Sequence, residues 1–226
     1  MLTHKGTQTI ETSRLILRQA RMEDAEAMFR NWANDSEVTK YLTWPPHGDI
    51  EVTRNLLRSW VESYQKDDYY QWMIVLKDTM EPIGSIMAST MGRAQSAHIG
   101  YCIGKKWWHQ GIMLETLKAV MDYLFDEIGY HRAESLHDPN NPHSGNVMKK
   151  CGMKYEGTLR QADRNNQGIC DACYYGLLAT ERKKRKTNLG LSFLYRRCKN
   201  SDSGAFMRIR ASFRGYGKGD PALRSE

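Results

Sequence analysis

The sequence predicts an α/β fold, a mixed but mostly antiparallel sheet flanked by helices, with one β–α–β unit set into it. Three observations lead there. Apolar residues recur at the helical period, as in Ala25, Met28, Phe29 and Trp32, and again in Leu114, Leu117, Met121, Leu124, Phe125 and Ile128. Short β-forming runs such as Trp72-Met73-Ile74-Val75-Leu76 lie between these helical stretches. The strands in the middle of the chain follow one another across turns, which suits antiparallel pairing.

Each element can be justified in order. Arg14 to Arg18 reads as the first strand, flanked by polar residues. The helix marked by Ala25 to Trp32 follows. Thr43-Trp44-Pro45-Pro46-His47-Gly48 is a loop by its prolines and glycine. A second helix spans about Asp49 to Lys66, with Val52, Leu56, Leu57, Trp60 and Val61 on one face. The continuous apolar run Trp72 to Leu76 suits a central strand buried on both faces. Asp78 to Pro82 turns the chain into two more strands, Ile83 to Thr90 and Ala97 to Gly104. The long amphipathic helix runs over Leu114 to Ile128. Arg132 to His137 is a strand, and Ser144 to Cys151 a short helix ended by Gly152. Tyr155 to Asp163 and Ile169 to Leu178 pair as a hairpin across Asn165-Asn166-Gln167-Gly168. The β–α–β unit falls around residues 97–137.

Composition narrows the class. Of 226 residues, 40% are hydrophobic and 26% charged, which fits a soluble globular protein. No run approaches the roughly 18 apolar residues of a membrane helix. Met1 to Ile10 lacks the apolar core of a signal peptide, so a cytoplasmic location is expected. Five cysteines and no export signal argue against a disulfide scaffold. The formal charge of +7 is uneven. Residues 1–180 carry 20 basic and 22 acidic side chains, whereas residues 181–226 carry 13 and 4. The expected organisation is therefore an N-terminal extension over 1–10, a main domain over 11–180, and a basic, disordered tail over 181–226. A weak nucleic-acid contact through that tail is the sharper alternative to plain disorder.

The chemistry gathers around Tyr101-Cys102-Ile103-Gly104-Lys105-Lys106-Trp107-Trp108-His109-Gln110-Gly111-Ile112-Met113. A strand ends there, a loop follows, and Gly111 opens the long helix. Amides at a helix N-terminus have no internal partner and sit at the positive end of the dipole, so they seat phosphate or diphosphate. One strand later comes Asn141-Pro142-His143-Ser144, continuing through Lys150-Cys151-Gly152-Met153 to Glu156-Gly157 and Arg160. This stretch resembles the N-x-x-S…K-x-G-[FM]-x-x-E-G-x-x-R pattern of the GNAT N-acetyltransferases. The ribosomal-protein alanine N-acetyltransferase-like branch is the nearest in pattern. Thr12 to Arg18 resembles that branch's first strand, and Ile99-Gly100-Tyr101 with Trp107 to Glu115 resembles its acetyl-CoA motif.

The resemblance implies the GNAT acyl-CoA N-acyltransferase fold with six or seven strands, and transfer of acetyl from acetyl-CoA to an amine. The acceptor is a protein N-terminal α-amine, or alternatively a small molecule such as a polyamine or an antibiotic. A different class remains as rival: a non-catalytic module that keeps the fold and holds RNA or a ribosome with its tail. Carried over position by position, the resemblance puts Cys102, Ile103, His109, Gln110, Gly111, Ile112, Met113, Asn141 and Ser144 on the coenzyme. Ser144 is also the candidate donor to the leaving sulfur. Tyr41 and Trp44 fall in the acceptor region. The chain departs from the pattern at three places. Of the phosphate motif Q/R-x-x-G-x-G/A only Gly111 is kept. His98 stands where the branch often has a carboxylate, and is the candidate base. Met148 stands where many relatives have an acidic tyrosine.

Plainer readings exist for each residue. Ser144 can cap its helix, Asn141 can stabilise the preceding loop, and His98 can face solvent. Trp107 and Trp108 read as packing. Lys149 and Lys150 suit either a coenzyme phosphate or a solvated helix face. Cys170 and Cys173 have zinc-like spacing, but a strand would point them to opposite faces, so no metal is expected.

Overall fold

A computed structural model describes residues 1–92 and 94–182. The tail expectation beyond Arg182 lies outside the described residues. In chain order the elements are β1 (Ile10–Glu11), β2 (Leu15–Arg18), α1 (Ala25–Met28), α2 (Ser36–Thr39), α3 (Ile50–Ser63) and β3 (Tyr70–Leu76). They continue with β4 (Pro82–Met91), β5 (Ser96–Ile103), α4 (Ile112–Tyr123), β6 (Arg132–His137), α5 (Pro142–Lys150), β7 (Lys154–Asn165) and β8 (Gly168–Leu178). The strands form one eight-stranded sheet in the order β1-β2-β3-β4-β5-β6-β8-β7. Every pairing is antiparallel except β5 with β6. The strand beyond the expected seven is β1, a two-residue piece with no periodicity long enough to read.

The sheet is covered on both faces. β3 is buried along most of its length because it lies inside the sheet, as its unbroken apolar run required. On one face, Leu117, Val120, Met121 and Leu124 of α4 and its continuation meet Ala97, Ile99, Ile83 and Ile86. On the other, Met28, Trp32 and Leu57 meet Met73 and Val75. Each fully buried side chain of this size contributes about 1.5–3 kcal/mol.

Three helices differ from their sequence patterns; the one read over Leu114 to Ile128 is α4 as far as Tyr123 and a π turn over Leu124–Ile128. The helix read from Ala25 to Trp32 begins with α1 and widens into a π turn over Phe29–Ala33. The face of α3 is rotated. Thr53 and Leu57 are buried, while Val52 and Val61 are 47% and 37% exposed. Thr53 tolerates burial because its hydroxyl is paired with His47 Nδ1 at 2.7 Å. Asp49 starts the helix by accepting from the Glu51 amide.

The first ten residues lie against the domain. Thr3 N–H donates to Ile128 O at 2.9 Å, and the Thr7 hydroxyl donates to Tyr69 O at 2.9 Å. Among the described residues no helix is long and apolar enough to cross a membrane.

Candidate active site

The site originates in a fork in the sheet. β5 and β6 are parallel neighbours only at Ala97↔Ala133 and His98↔Glu134. Beyond that point they separate. At the crotch, the Ser135 hydroxyl donates to Ile99 O at 2.7 Å. Ile99 thus turns its carbonyl to the open edge, and by alternation Tyr101 and Ile103 present main-chain groups on that same edge. Elsewhere a sheet satisfies such groups with a neighbouring strand, so a free inner edge suits an extended ligand carrying amides.

A cleft of about 670 Å³ fills the fork. Its lining brings together Tyr41, Cys102, Ile103, His109, Gly111, Ile112, Met113, Asn141 and Ser144 from the sequence-derived set. Three residues of that set stand apart from the lining. Gln110 donates from its side chain to Lys106 O at 2.9 Å. Trp44 packs on the α1–α3 core and lies 5.1 Å from the His47 ring. His98 lies two residues beyond Gly100 from Cys102, on the sheet face that looks toward α1 and α3.

One end of the cleft is built for an anion. Gly111 has φ +72° and caps α4 with no side-chain bond, so the first-turn amides of the helix lack intrahelical acceptors. His109 also takes a left-handed conformation, φ +61°, two residues earlier. Left-handed residues at this spacing fold successive amides into a concave nest. The N-terminus of α5 lines the same cleft, with Asn141 making no side-chain cap. The His109 and His143 rings meet there at 5.0 Å. A diphosphate fits this donor set, which combines exposed amides, two helix dipoles and the nearby Lys150.

The loop is held by the first strand. Arg14 Nη1 donates to Gln110 O at 3.0 Å, and Arg14 Nε donates to Glu115 Oε2 at 2.8 Å. The Ser13 hydroxyl donates to Glu115 Oε1 at 2.9 Å. Burial alone would raise the Glu115 pKa, but hydrogen bonds from Thr12, Arg14 and Ser13 outweigh it and bring it to about 2. The sign follows: this contribution to stability is complete above the ordinary glutamate value and is lost only as pH falls toward 2.

The other end holds hydroxyls. The Tyr101 phenol donates to Ser144 O at 3.1 Å and lies 3.0 Å from Ser144 Oγ, where either hydroxyl can donate. Burial pushes the Tyr101 pKa upward, against the smaller opposing effect of Ser144, so the phenol stays protonated. Sequence reasoning missed Tyr101 as a site residue. Alternation could have placed it on the α5 face with Ile99 and Ile103, but its contact with Ser144 joins residues 43 positions apart. Trp108 was also missed: it lines the cleft and its indole N–H donates to Ile103 O at 2.9 Å. Gly145 lets α5 sit close to β6, because a Cβ there would lie 2.4 Å from His137 Nε2. Among the described residues no group of three or more His, Cys, Asp or Glu is placed to hold a metal ion.

A forked sheet, a helix N-terminus with open amides and paired hydroxyls on one cleft suit an acyltransferase that uses an acyl-coenzyme A. The comparisons are specific. Residues 14–154 match the model of the acetyltransferase (GNAT) domain. An uncharacterized N-acetyltransferase of Bacillus subtilis, YoaA, is 33% identical over 170 residues, covering 75% of this chain and 96% of that protein. The ribosomal protein uS5 alanine N-acetyltransferase of Escherichia coli is 26% identical over 155 residues, covering 66% of this chain and 79% of that protein. The solved structure of RimL, the ribosomal L7/L12 α-N-protein acetyltransferase, in complex with coenzyme A shares the fold. It has a TM-score of 0.67 and 22% identity, covering 76% of this chain and 98% of that one. The chain belongs to the GNAT family and is an acetyl-CoA-dependent N-acetyltransferase.

Proposed function

We propose that the acceptor is a protein N-terminal α-amine. One observation carries this reading: the only carboxylate lining the cleft, among the described residues, is Glu37, and it is ion-paired with Lys105. The cleft therefore offers little to deprotonate a strongly basic amine. An α-amine of pKa about 7.7–8.0 is partly neutral at cellular pH, whereas a lysine near 10.4 is almost wholly protonated. A relative that acetylates the alanine terminus of a ribosomal protein supports the same reading.

Acetyl-CoA supplies the activated acetyl group. The amides of Gly111, Ile112 and Met113 hold its diphosphate, with His109 and Asn141 beside them. The open edge at Tyr101 and Ile103 takes the pantetheine amides, with Cys102 beside it in the cleft lining, and a main-chain N–H on that edge polarises the thioester carbonyl. His98 accepts the amine proton. It lies about 13 Å from Cys102 along the strand and outside the cleft lining, so the proton must travel a chain of several waters to reach it. Ser144 donates to the sulfur as the C–S bond breaks. When the Tyr101 phenol gives its one proton to Ser144 Oγ in place of Ser144 O, the serine proton is free to point into the cleft. A cytoplasmic site of action is part of the same proposal.

Ser144→Ala is expected to lower kcat about tenfold, the range of one hydrogen bond to a developing charge, with acetyl-CoA affinity held within about twofold. Tyr101→Phe should show a smaller loss alone and no further loss in the Ser144→Ala background. Steady-state kinetics by release of free thiol, with calorimetry for affinity, checks both. Equal turnover in wild type and Ser144→Ala would defeat the assignment.

A further inference from the structure

The hairpin turn between β7 and β8 does more than reverse the chain. Asn165 pairs with Gly168, which leaves Asn166 and Gln167 at the tip. The Asn166 amide N–H donates to Leu42 O at 3.1 Å. Its side-chain Nδ2 donates to Thr39 O at 2.8 Å and to Trp44 O at 2.7 Å. One residue thus satisfies three carbonyls of the segment joining α2 to the Pro45-Pro46 loop. Its neighbour Asn165 is buried and donates to Asp138 Oδ2 at 2.8 Å. Asp138 in turn accepts from the Asn140 amide and side chain, at 2.8 and 3.0 Å.

These bonds reach both walls of the cleft. Asn140 and Asn141 line the coenzyme side, while Val38, Tyr41 and Leu42 line the opposite side. The hairpin hangs from β6 through β8, and the 39–44 segment belongs to the α1–α3 side. β5 and β6 have already diverged at this level, so the paired asparagines span the mouth of the fork.

We propose that Asn166 is a positioning residue that sets acceptor selectivity, by clasping the Thr39–Trp44 segment and fixing Val38, Tyr41 and Leu42 as one wall of the acceptor site. This rests on the acetyltransferase reading above and extends it to substrate class. The fixed wall is mainly apolar, with the Glu37 carboxylate beside Val38 engaged by Lys105, so it favours an amine with a small apolar neighbouring group over one with an acidic neighbour. A wall that can move loses that discrimination, because the small apolar group loses the packing that favoured it as the segment swings out.

The test uses the full chain with three probes: an Ala-initiated hexapeptide, an Asp-initiated hexapeptide and spermidine. Thiol release gives kcat/KM for each, and calorimetry gives acetyl-CoA affinity. In Asn166→Ala the Ala-to-Asp ratio of kcat/KM should fall about tenfold through a rise in the Ala-peptide KM, with acetyl-CoA affinity within twofold of wild type. Asn166→Asp keeps the side-chain size but replaces the double donor with an acceptor facing two carbonyls, and should show the same loss. Thermal unfolding establishes that each variant is folded. An unchanged ratio in both folded variants would overturn the proposal, as would a wild-type preference for the Asp peptide or for spermidine. Failure of wild type itself to bind acetyl-CoA would strike the underlying reading instead, and is read separately.

Discussion

His98→Gln is expected to lower kcat/KM roughly a hundredfold at neutral pH, the lower range of a general base, with acetyl-CoA affinity unchanged within about twofold. The reason is local. His98 sits on β5 opposite Glu134, with Nδ1 4.0 Å from Glu134 Oε1, too long for a hydrogen bond. Burial pushes its pKa below the ordinary 6.5, outweighing the attraction of Glu134 and Asp163 that would raise it. The imidazole is therefore neutral at pH 7 and ready to accept a proton. The sign for activity follows. As pH falls, the acceptor α-amine protonates first, around 7.7–8.0, and His98 protonates later, below 6.5. Wild type should show a slope of log(kcat/KM) against pH that steepens from about one to about two in that lower range. In the variant the second break should vanish. A break that survives in His98→Gln would exclude this residue as the base.

Gly84→Ala should cost about 3 kcal/mol of folding stability, the upper range for overpacking a rigid site. A Cβ at Gly84 would lie 2.4 Å from Cys102 O and 2.9 Å from Ile103 Cα, both backbone atoms that cannot rotate away. Gly84 pairs with Ile103 in the ladder between β4 and β5, so relief requires the strands to part. The melting temperature should fall by about 6–12 °C for a domain of this size. Because Ile103 lies on the open edge and Cys102 lines the cleft beside it, acetyl-CoA affinity should fall with it. Differential scanning calorimetry checks the first effect. A melting temperature within a degree or two of wild type would show that β5 yields easily, against the rigid edge assumed here.

Much of this arrangement was legible in the residues, for physical reasons that differ by element. The apolar run of β3 announced burial on both faces, and the long helical period of α4 survived into the structure with its glycine at the start. The open helix start at Gly111 was readable because it is local: a strand, a loop and a helix N-terminus adjacent in sequence. Contacts between distant segments were not. Nothing in the pattern around Tyr101 points to Ser144, and Asn166 read simply as a turn residue, because its three acceptors lie more than a hundred positions away. The rotation of α3 was hidden because Thr53 is polar by composition yet satisfied by His47. Arg14 read as part of a strand, and its grip on Gln110 and Glu115 emerges only when β2 and α4 meet.

The central claim is that the fork between β5 and β6 receives a thioester carrier whose diphosphate rests on the α4 amides. Calorimetric titration of acetyl-CoA into the full chain tests it most directly. The expected result is one site per chain with a dissociation constant in the micromolar range, about −8 kcal/mol. An absence of heat up to millimolar acetyl-CoA, confirmed by an unshifted melting temperature in the same ligand, would contradict it.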